Sequence, residues 1–225
     1  MANEDDIAGR GRVESDTVSV EPSVTYTRTG DDGASTLGDG SRAGKSDLRI
    51  VAYGEVEEAS AAIGVAIAQG DGLQDPVLLV LSRVQNDLVD LEADLVTPRQ
   101  EPAVGAVIRI DGGYVERLER ACDHFNEDLP PLPSFVVSGG TGNAALLYQA
   151  RSAARRAERA TCAAQDRHGE SMNPLLVGYL NRLSSLLFIL ARRSNAEHGD
   201  TVWRPGLSTG LGGAELWETQ STEEP

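Results

Sequence analysis

Apolar residues recurring every three to four positions, over long segments with short breaks between them, constrain this chain more than any other feature. Over 48–69 the apolar side comprises Ile50, Val56, Ile63 and Ile67. Over about 76–96 it comprises Leu78, Leu81, Leu88, Leu91 and Leu95. Asp75-Pro76 reads as cap and first turn of that segment, and Thr97-Pro98 as its stop. A shorter amphipathic segment over 112–127 carries Val115, Leu118 and Cys122. The Pro-rich break DLPPLPS and a tight Gly-Gly turn follow, with Thr141 or Asn143 as the cap of a helix over 143–167. Asn173-Pro174 opens the last segment, 174–197, with Leu176, Leu180, Leu183, Leu187 and Leu190. Aromatics are 4% of the chain, so the core is built from small and aliphatic side chains. Without repeats or βαβ alternation, these segments predict an all-α fold, a five-helix up-and-down bundle.

The ends differ from the middle. Residues 1–23 are polar and acidic and are expected to be disordered. The domain runs over 24–198, and 199–225 is a Gly-rich C-terminal tail in which Trp203 is placed to pack locally. A net charge of −15 argues against a sequence-independent grip on nucleic acid or anionic lipid. The sequence predicts no membrane span and no secretory or organellar signal. Cys122 and Cys162 make no disulfide framework, and with His124, His168 and His198 they form no zinc spacing. A reducing, cytoplasmic location is the consistent expectation.

Two patterns bear on chemistry. RSAARRAER at 151–159 puts Arg151, Arg155 and Arg159 on one helix face, flanked by Arg156 and Glu158. Stacked guanidinium groups repel, and a carboxylate or polyphosphate offsets that repulsion through bidentate bonds. The loop over 24–46 combines Thr and Ser hydroxyls, glycines able to take positive φ at 30, 33, 38 and 40, and the cations Arg28 and Lys45. Such a loop can surround a polyphosphate, and Asp31, Asp32 and Asp39 can meet Mg²⁺ through water. The same composition also describes an ordinary Gly/Asp loop, and the arginine row an ordinary solvated face. Two further pairs stand out, Asn181-Arg182 among leucines and Glu57-Glu58 as partners for an arginine. Neither the GGTG turn nor GKS at 44–46 has the strand context of a dinucleotide fingerprint or a P-loop.

Taken together and in order, five motifs resemble the PduO-type ATP:cob(I)alamin adenosyltransferases. They are TRTGDDGASTLGDGSRAGKSDLRIVAYGEVEE, QNDLVDLEADLVTP, FVVSGGT, RSAARRAER and YLNRLSSLLFILAR. The resemblance covers about residues 25–195. It implies a homotrimer with ATP and corrinoid sites between subunits. The implied reaction moves the 5′-deoxyadenosyl group of ATP onto cob(I)alamin and releases triphosphate, with Mg²⁺ assisting. Carried over by motif, Thr27, Arg28, Thr29, Gly30, Asp31, Gly33 and Thr36 wrap the triphosphate with Lys45. Arg155 and Glu158 contact nucleotide or Mg²⁺, and Asn181 holds the nucleoside side. Arg151 pairs with Glu57 between subunits, and Phe135 lies under the corrin and excludes the lower axial ligand. The implied partners are a corrinoid reductase and an adenosylcobalamin-dependent enzyme. A non-catalytic paralogue that binds ATP or adenosylcobalamin as a carrier or sensor is the alternative.

Five positions depart from that pattern. The family usually has Asp where this chain has Glu57, Asn at Ser60, Pro at Ser138, His at Tyr148 and Asp at Ser185. Glu57 still reaches an arginine with one more methylene. Ser138 removes a ring constraint from the turn that places Phe135. Ser185 removes an acid from beside the Asn181-Arg182 pair.

Overall fold

The computed structural model describes residues 26–70, 72–100 and 107–207. The predicted N-terminal tail and residues 208–225 of the C-terminal tail lie outside these. Five helices carry the fold: α1 (Leu48–Gln69), α2 (Asp75–Val96), α3 (Gly112–Asn126), α4 (Gly142–His168) and α5 (Leu175–Ser194). A single 3₁₀ turn, Gly169–Ser171, links α4 to α5.

The expected all-α fold is thus observed with one addition, a two-stranded antiparallel ribbon. Strand β1 (Ala34–Thr36) pairs with β2 (Arg42–Gly44), with Ser35 opposite Ala43. Asp39-Gly40 is the turn dipeptide that marks hairpins. Gly40 takes φ 84°, and the Asp39 carboxylate accepts from the Ser41 amide and hydroxyl. Of the four glycines expected at positive φ, only Gly33 and Gly40 adopt it. Gly38 is needed for a different reason: a Cβ there would lie 2.1 Å from Thr97 Oγ1.

Helix α1 buries Ala52, Val56, Ala59, Ile63 and Ala66, a spacing of three and four. Helix α4 answers with Ala150, Ala153, Ala154, Ala157 and Ala164. Small side chains on both faces let the two backbones approach, and α1–α4 is the most extensive pairing of the bundle. Helix α5 is buried on most of its circumference, through Leu176, Tyr179, Leu180, Leu183, Leu186, Leu187 and Leu190. Its length and mean hydropathy of 1.3 meet the size of a membrane span, contrary to the sequence expectation. A helix central to a bundle is apolar for the same reason a spanning one is, and 56% of this one lies inside the protein.

The caps explain the boundaries. Asp47, Asp111 and Thr141 each accept a backbone amide at the start of α1, α3 and α4. Asp75 is not the cap of α2 but its first residue, where a carboxylate suits the helix dipole; Gln74 precedes it without a side-chain bond. Asn173 accepts from Leu175 N at 3.0 Å and so caps α5, with Pro174 between them. Helix α5 stops at Ser194, short of 197, because Asn195 turns away to bond Thr141 N and Gly139 O.

Candidate active site

The glycine-rich loop is organised by a residue the sequence reading passed over. Arg42 grips Asp32 through both terminal nitrogens, at 3.0 and 2.8 Å, and donates to Thr29 O at 2.8 Å. Asp32 is held below the usual carboxylate range by that guanidinium first and the Ala34 amide second. The hydroxyls of Thr27 and Thr29 lie 2.8 Å apart. Lys45 bends over the loop, so that a Cβ on Gly30 would meet its Nζ at 3.2 Å. Arg28 takes φ 60°, the one non-glycine positive φ among the described residues, and lies 5.7 Å from the Tyr26 ring centroid. Strain of this kind gathers where a backbone is shaped to receive something. The residues Thr27, Arg28, Thr29, Gly30, Asp31, Gly33, Thr36 and Lys45 therefore form one lobe, all but Gly30 exposed.

The three loop acids do not gather on a metal. Asp32 is taken by Arg42, and Asp39 by Ser41 and Gln100. Among the described residues no three His, Cys, Asp or Glu side chains converge as a metal-holding group.

The arginine row of α4 divides. Arg156 turns to α1 and pairs with Glu55 at 2.5 Å and with Glu58. The acidic partner expected of Glu57-Glu58 is thus Glu58, for Arg156. Arg155 and Arg159 are exposed. Arg151 is half-buried; its Nε has no hydrogen-bond partner, and its guanidinium lies 5.3 Å from the Phe188 ring centroid. Burial first, and then the charge of Arg155, lower its pKa. The repulsion expected from the spacing is therefore felt between Arg151 and Arg155, and among the described residues no carboxylate pairs with Arg151. Glu57 does not meet Arg151 here; it faces Glu92 on α2, whose carboxyl is pushed up to about 7 by burial and by Glu57.

Glu158 and Asn181 do meet: Asn181 Nδ2 donates to Glu158 Oε1 at 2.8 Å. Asn181 Oδ1 accepts from Arg182, which itself reaches Glu119 at 2.8 Å. Ser184 and Ser185 both donate to Asn181 O, so Ser185 caps this pair rather than charging it.

Phe135 is 78% exposed and stands edge-on to Trp203, with centroids 6.0 Å apart. Tyr148, where the family usually has His, is buried against Phe188, and its hydroxyl has no partner.

These groups do not share one place in a single chain. Asp47, beside the loop, contacts His168 at the C-terminal end of α4. Arg155 lies about 20 Å further along that helix, and Arg151 one turn beyond it. Among the described residues one cleft opens around Leu73, Thr141 and Arg193, and another around Arg99, Gln165 and Met172. Neither is lined by the loop, by Arg151, Arg155 or Glu158, or by Phe135.

The described residues form a helical bundle with a glycine-rich loop carrying Arg28, Arg42 and Lys45 at one end and Arg151 and Arg155 toward the other. The chain matches the profile of the cobalamin adenosyltransferases over residues 25–194, and it belongs to that family. It is 51% identical over 181 residues to a corrinoid adenosyltransferase of Mycobacterium tuberculosis, covering 80% of this chain and 93% of the relative. A cobalamin adenosyltransferase of Cupriavidus metallidurans is 40% identical, over 79% of this chain and 92% of its own length. The fold also matches a variant PduO-type ATP:corrinoid adenosyltransferase of Lactobacillus reuteri, solved with cobalamin and ATP. That match has a TM-score of 0.71 and 29% identity, covering 80% of this chain and 98% of the other.

Proposed function

We infer that this protein transfers the 5′-deoxyadenosyl group of ATP to cob(I)alamin, giving adenosylcobalamin and triphosphate. The observation that carries the reading is the match, over nearly their whole length, to corrinoid adenosyltransferases at up to 51% identity. Cob(I)alamin is itself a strong nucleophile, so the chain need supply none. Cobalt attacks C5′, the C5′–O bond breaks, and its electron pair leaves with the triphosphate. The protein must orient the two reactants, stabilise that leaving charge and keep the lower cobalt face dry.

The site assignments follow that division of labour. The lobe Thr27–Thr36 with Lys45 takes the triphosphate of one copy. Arg155 and Glu158 of a neighbouring copy complete it, and Asn181 meets the nucleoside. Arg151 turns to Glu57 across the interface, which relieves its missing bond and the Glu57–Glu92 repulsion together. Phe135 covers the lower corrin face. Mg²⁺ asks for one or two carboxylates beside the phosphates rather than a cage of protein ligands, and Asp31 and Glu158 fit that role. Bound there, the ion would neutralise charge on the phosphates.

The distance between lobe and arginine row supports a closed ring in which each copy offers its loop to the next, a homotrimer in this reading. We place the protein in the cytoplasm, where the unpaired thiols of Cys122 and Cys162 persist. Its reaction needs a corrinoid reductase upstream and an adenosylcobalamin-dependent enzyme downstream.

Purified protein mixed with ATP, Mg²⁺ and chemically reduced cobalamin tests the function. The expected result is catalytic appearance of the adenosylcobalamin spectrum. Tight binding of ATP and corrinoid without turnover identifies the carrier or sensor alternative instead. A protein whose melting temperature ignores ATP is neither.

A further inference from the structure

The strap after α5, residues 200–204, is fastened to the segment that carries Phe135 with more care than a tail requires. Trp203 N donates to Phe135 O at 2.7 Å, and Val137 N to Thr201 O at 2.8 Å. Val136 and Val202 form a two-residue antiparallel bridge. Ser134 Oγ donates to Trp203 O at 3.2 Å. Beneath them lies Arg192, whose side chain is 6% exposed. It pairs with Asp200 at 2.8 Å, at the start of the strap, and donates to Pro130 O at 2.7 Å, ahead of Phe135. One buried guanidinium thus anchors both segments. A charge is buried at a cost that its partners must offset, and here the partners are the two segments themselves.

What this framework holds up is a pair of rings in water. Phe135 is the most exposed large hydrophobic among the described residues, and Trp203 is 48% exposed. They meet at an interplanar angle of 64°, which leaves a face of each ring open. In a chain with 4% aromatics, such a pair contributes nothing to the core. Rigidly mounted, exposed aromatic surface marks a place where something apolar and flat docks. The pair belongs to the same end of the bundle as the arginine row. Asp200 lies near enough to Tyr148 to help push that phenol up, and Tyr148 shares Phe188 with Arg151.

We propose that Trp203 is a second wall of the corrinoid seat, set against Phe135 by the strap and its Arg192–Asp200 anchor. The proposal rests on the corrinoid reading above. The occupant is the corrin macrocycle: a broad, rigid, largely apolar disc that covers two rings at once, and the exposed polar Thr201 and Arg204 flank Trp203 in sequence. Trp203 is a positioning residue for the disc, distinct from the phosphate-handling lobe.

The test separates the two substrates. Trp203→Ala and Trp203→Phe are compared with the parent for KM of cob(I)alamin and of ATP, and for equilibrium dialysis of cob(II)alamin. Circular dichroism and melting confirm the fold of each variant. Trp203→Ala is expected to weaken cobalamin about tenfold by both measures and to leave KM for ATP within about twofold. Trp203→Phe is expected to restore most of the loss. In a Trp217→Phe background, where Trp203 is the sole tryptophan, its emission is expected to fall saturably as cob(II)alamin is added. Cobalamin binding by Trp203→Ala within twofold of the parent overturns the proposal. So does an equal loss for ATP and cobalamin, or a loss that tracks dissociation of the assembly rather than corrinoid. If the parent transfers no adenosyl group, the transferase reading fails, and dialysis alone still decides the place of Trp203.

Discussion

Arg109 and Arg151 are both partly buried arginines, and they sit in opposite circumstances. Arg109 reaches Asp94 Oδ1 at 2.5 Å and the carbonyls of Asp94 and Thr97. The other Asp94 oxygen accepts from Ile110 N at 2.9 Å and from Asn173 Nδ2 at 2.6 Å. Asn173 also bonds Ile110 O and caps α5, so one carboxylate ties α2, the segment before α3, and α5. Arg151 has a ring beneath it, a like charge beside it and a buried Nε without a partner. The first network is closed within the chain and serves the fold. The second has no such closure among the described residues, and the proposed function supplies it from a neighbouring copy. Burial alone does not distinguish them; the list of partners does.

The sharpest break of that comparison is Asp94→Ala. It strands Arg109, Asn173 and the Ile110 amide in a buried setting, and removing one member of such a network costs about 3–5 kcal/mol. Urea denaturation should show that loss, and a loss below about 1 kcal/mol would mean the network is not closed as described. Arg155→Ala comes next and moves a different quantity. It should cut adenosyl transfer about a hundredfold, the scale of a lost transition-state charge partner, with little change in melting temperature. Unchanged kinetics would return the arginine row to a plain solvated face. Phe135→Ala should slow transfer by about tenfold or more while leaving ATP binding near the parent value. An equal loss in both would contradict its place at the corrin.

How much of this was legible in the sequence follows the same division. Helix periodicity is a local property, so the five helices and the Asn173 cap read directly from spacing, while the α4 cap stayed open between Thr141 and Asn143 until the fold showed Thr141 accepting from Ala144 N. The ribbon was hidden because three-residue strands leave no alternation to see, although Asp39-Gly40 announced the turn. Arg156 was grouped with the flank of the arginine row, yet Glu55 and Glu58 claim it from another helix; which arginine keeps its charge free is a tertiary fact. Arg42 and Arg192 were missed for a related reason. Each acts through carbonyls and acids distant in the chain, and no spacing rule signals a residue that bonds Thr29 or Pro130 backbone. The motifs located the lobe and the row, but only the fold reveals that one chain holds them apart.

The finest test concerns the acidic side of the proposed contact between copies. Glu92 is half-buried on α2, and burial first and Glu57 second push its carboxyl from the ordinary 4.5 up to about 7. In the range between those values the folded chain keeps a proton that the unfolded chain has released. Its contribution to stability is therefore full below about 4.5 and is lost as pH rises through about 7. Glu92→Gln removes the titration. The parent should thus gain in urea midpoint relative to the variant as pH falls from 8 to 5, a small but directional difference. If parent and variant follow parallel profiles, Glu57 and Glu92 are not the strained pair described. The comparison with Arg151 sharpens the expectation further. A guanidinium from a neighbouring copy placed beside Glu57 supplies the opposite charge, draws the Glu92 carboxyl back down and flattens the profile. If the proposed pairing of Arg151 with Glu57 of a neighbouring copy holds, the pH-dependent difference should be largest at dilutions where copies separate and fade as the assembly forms.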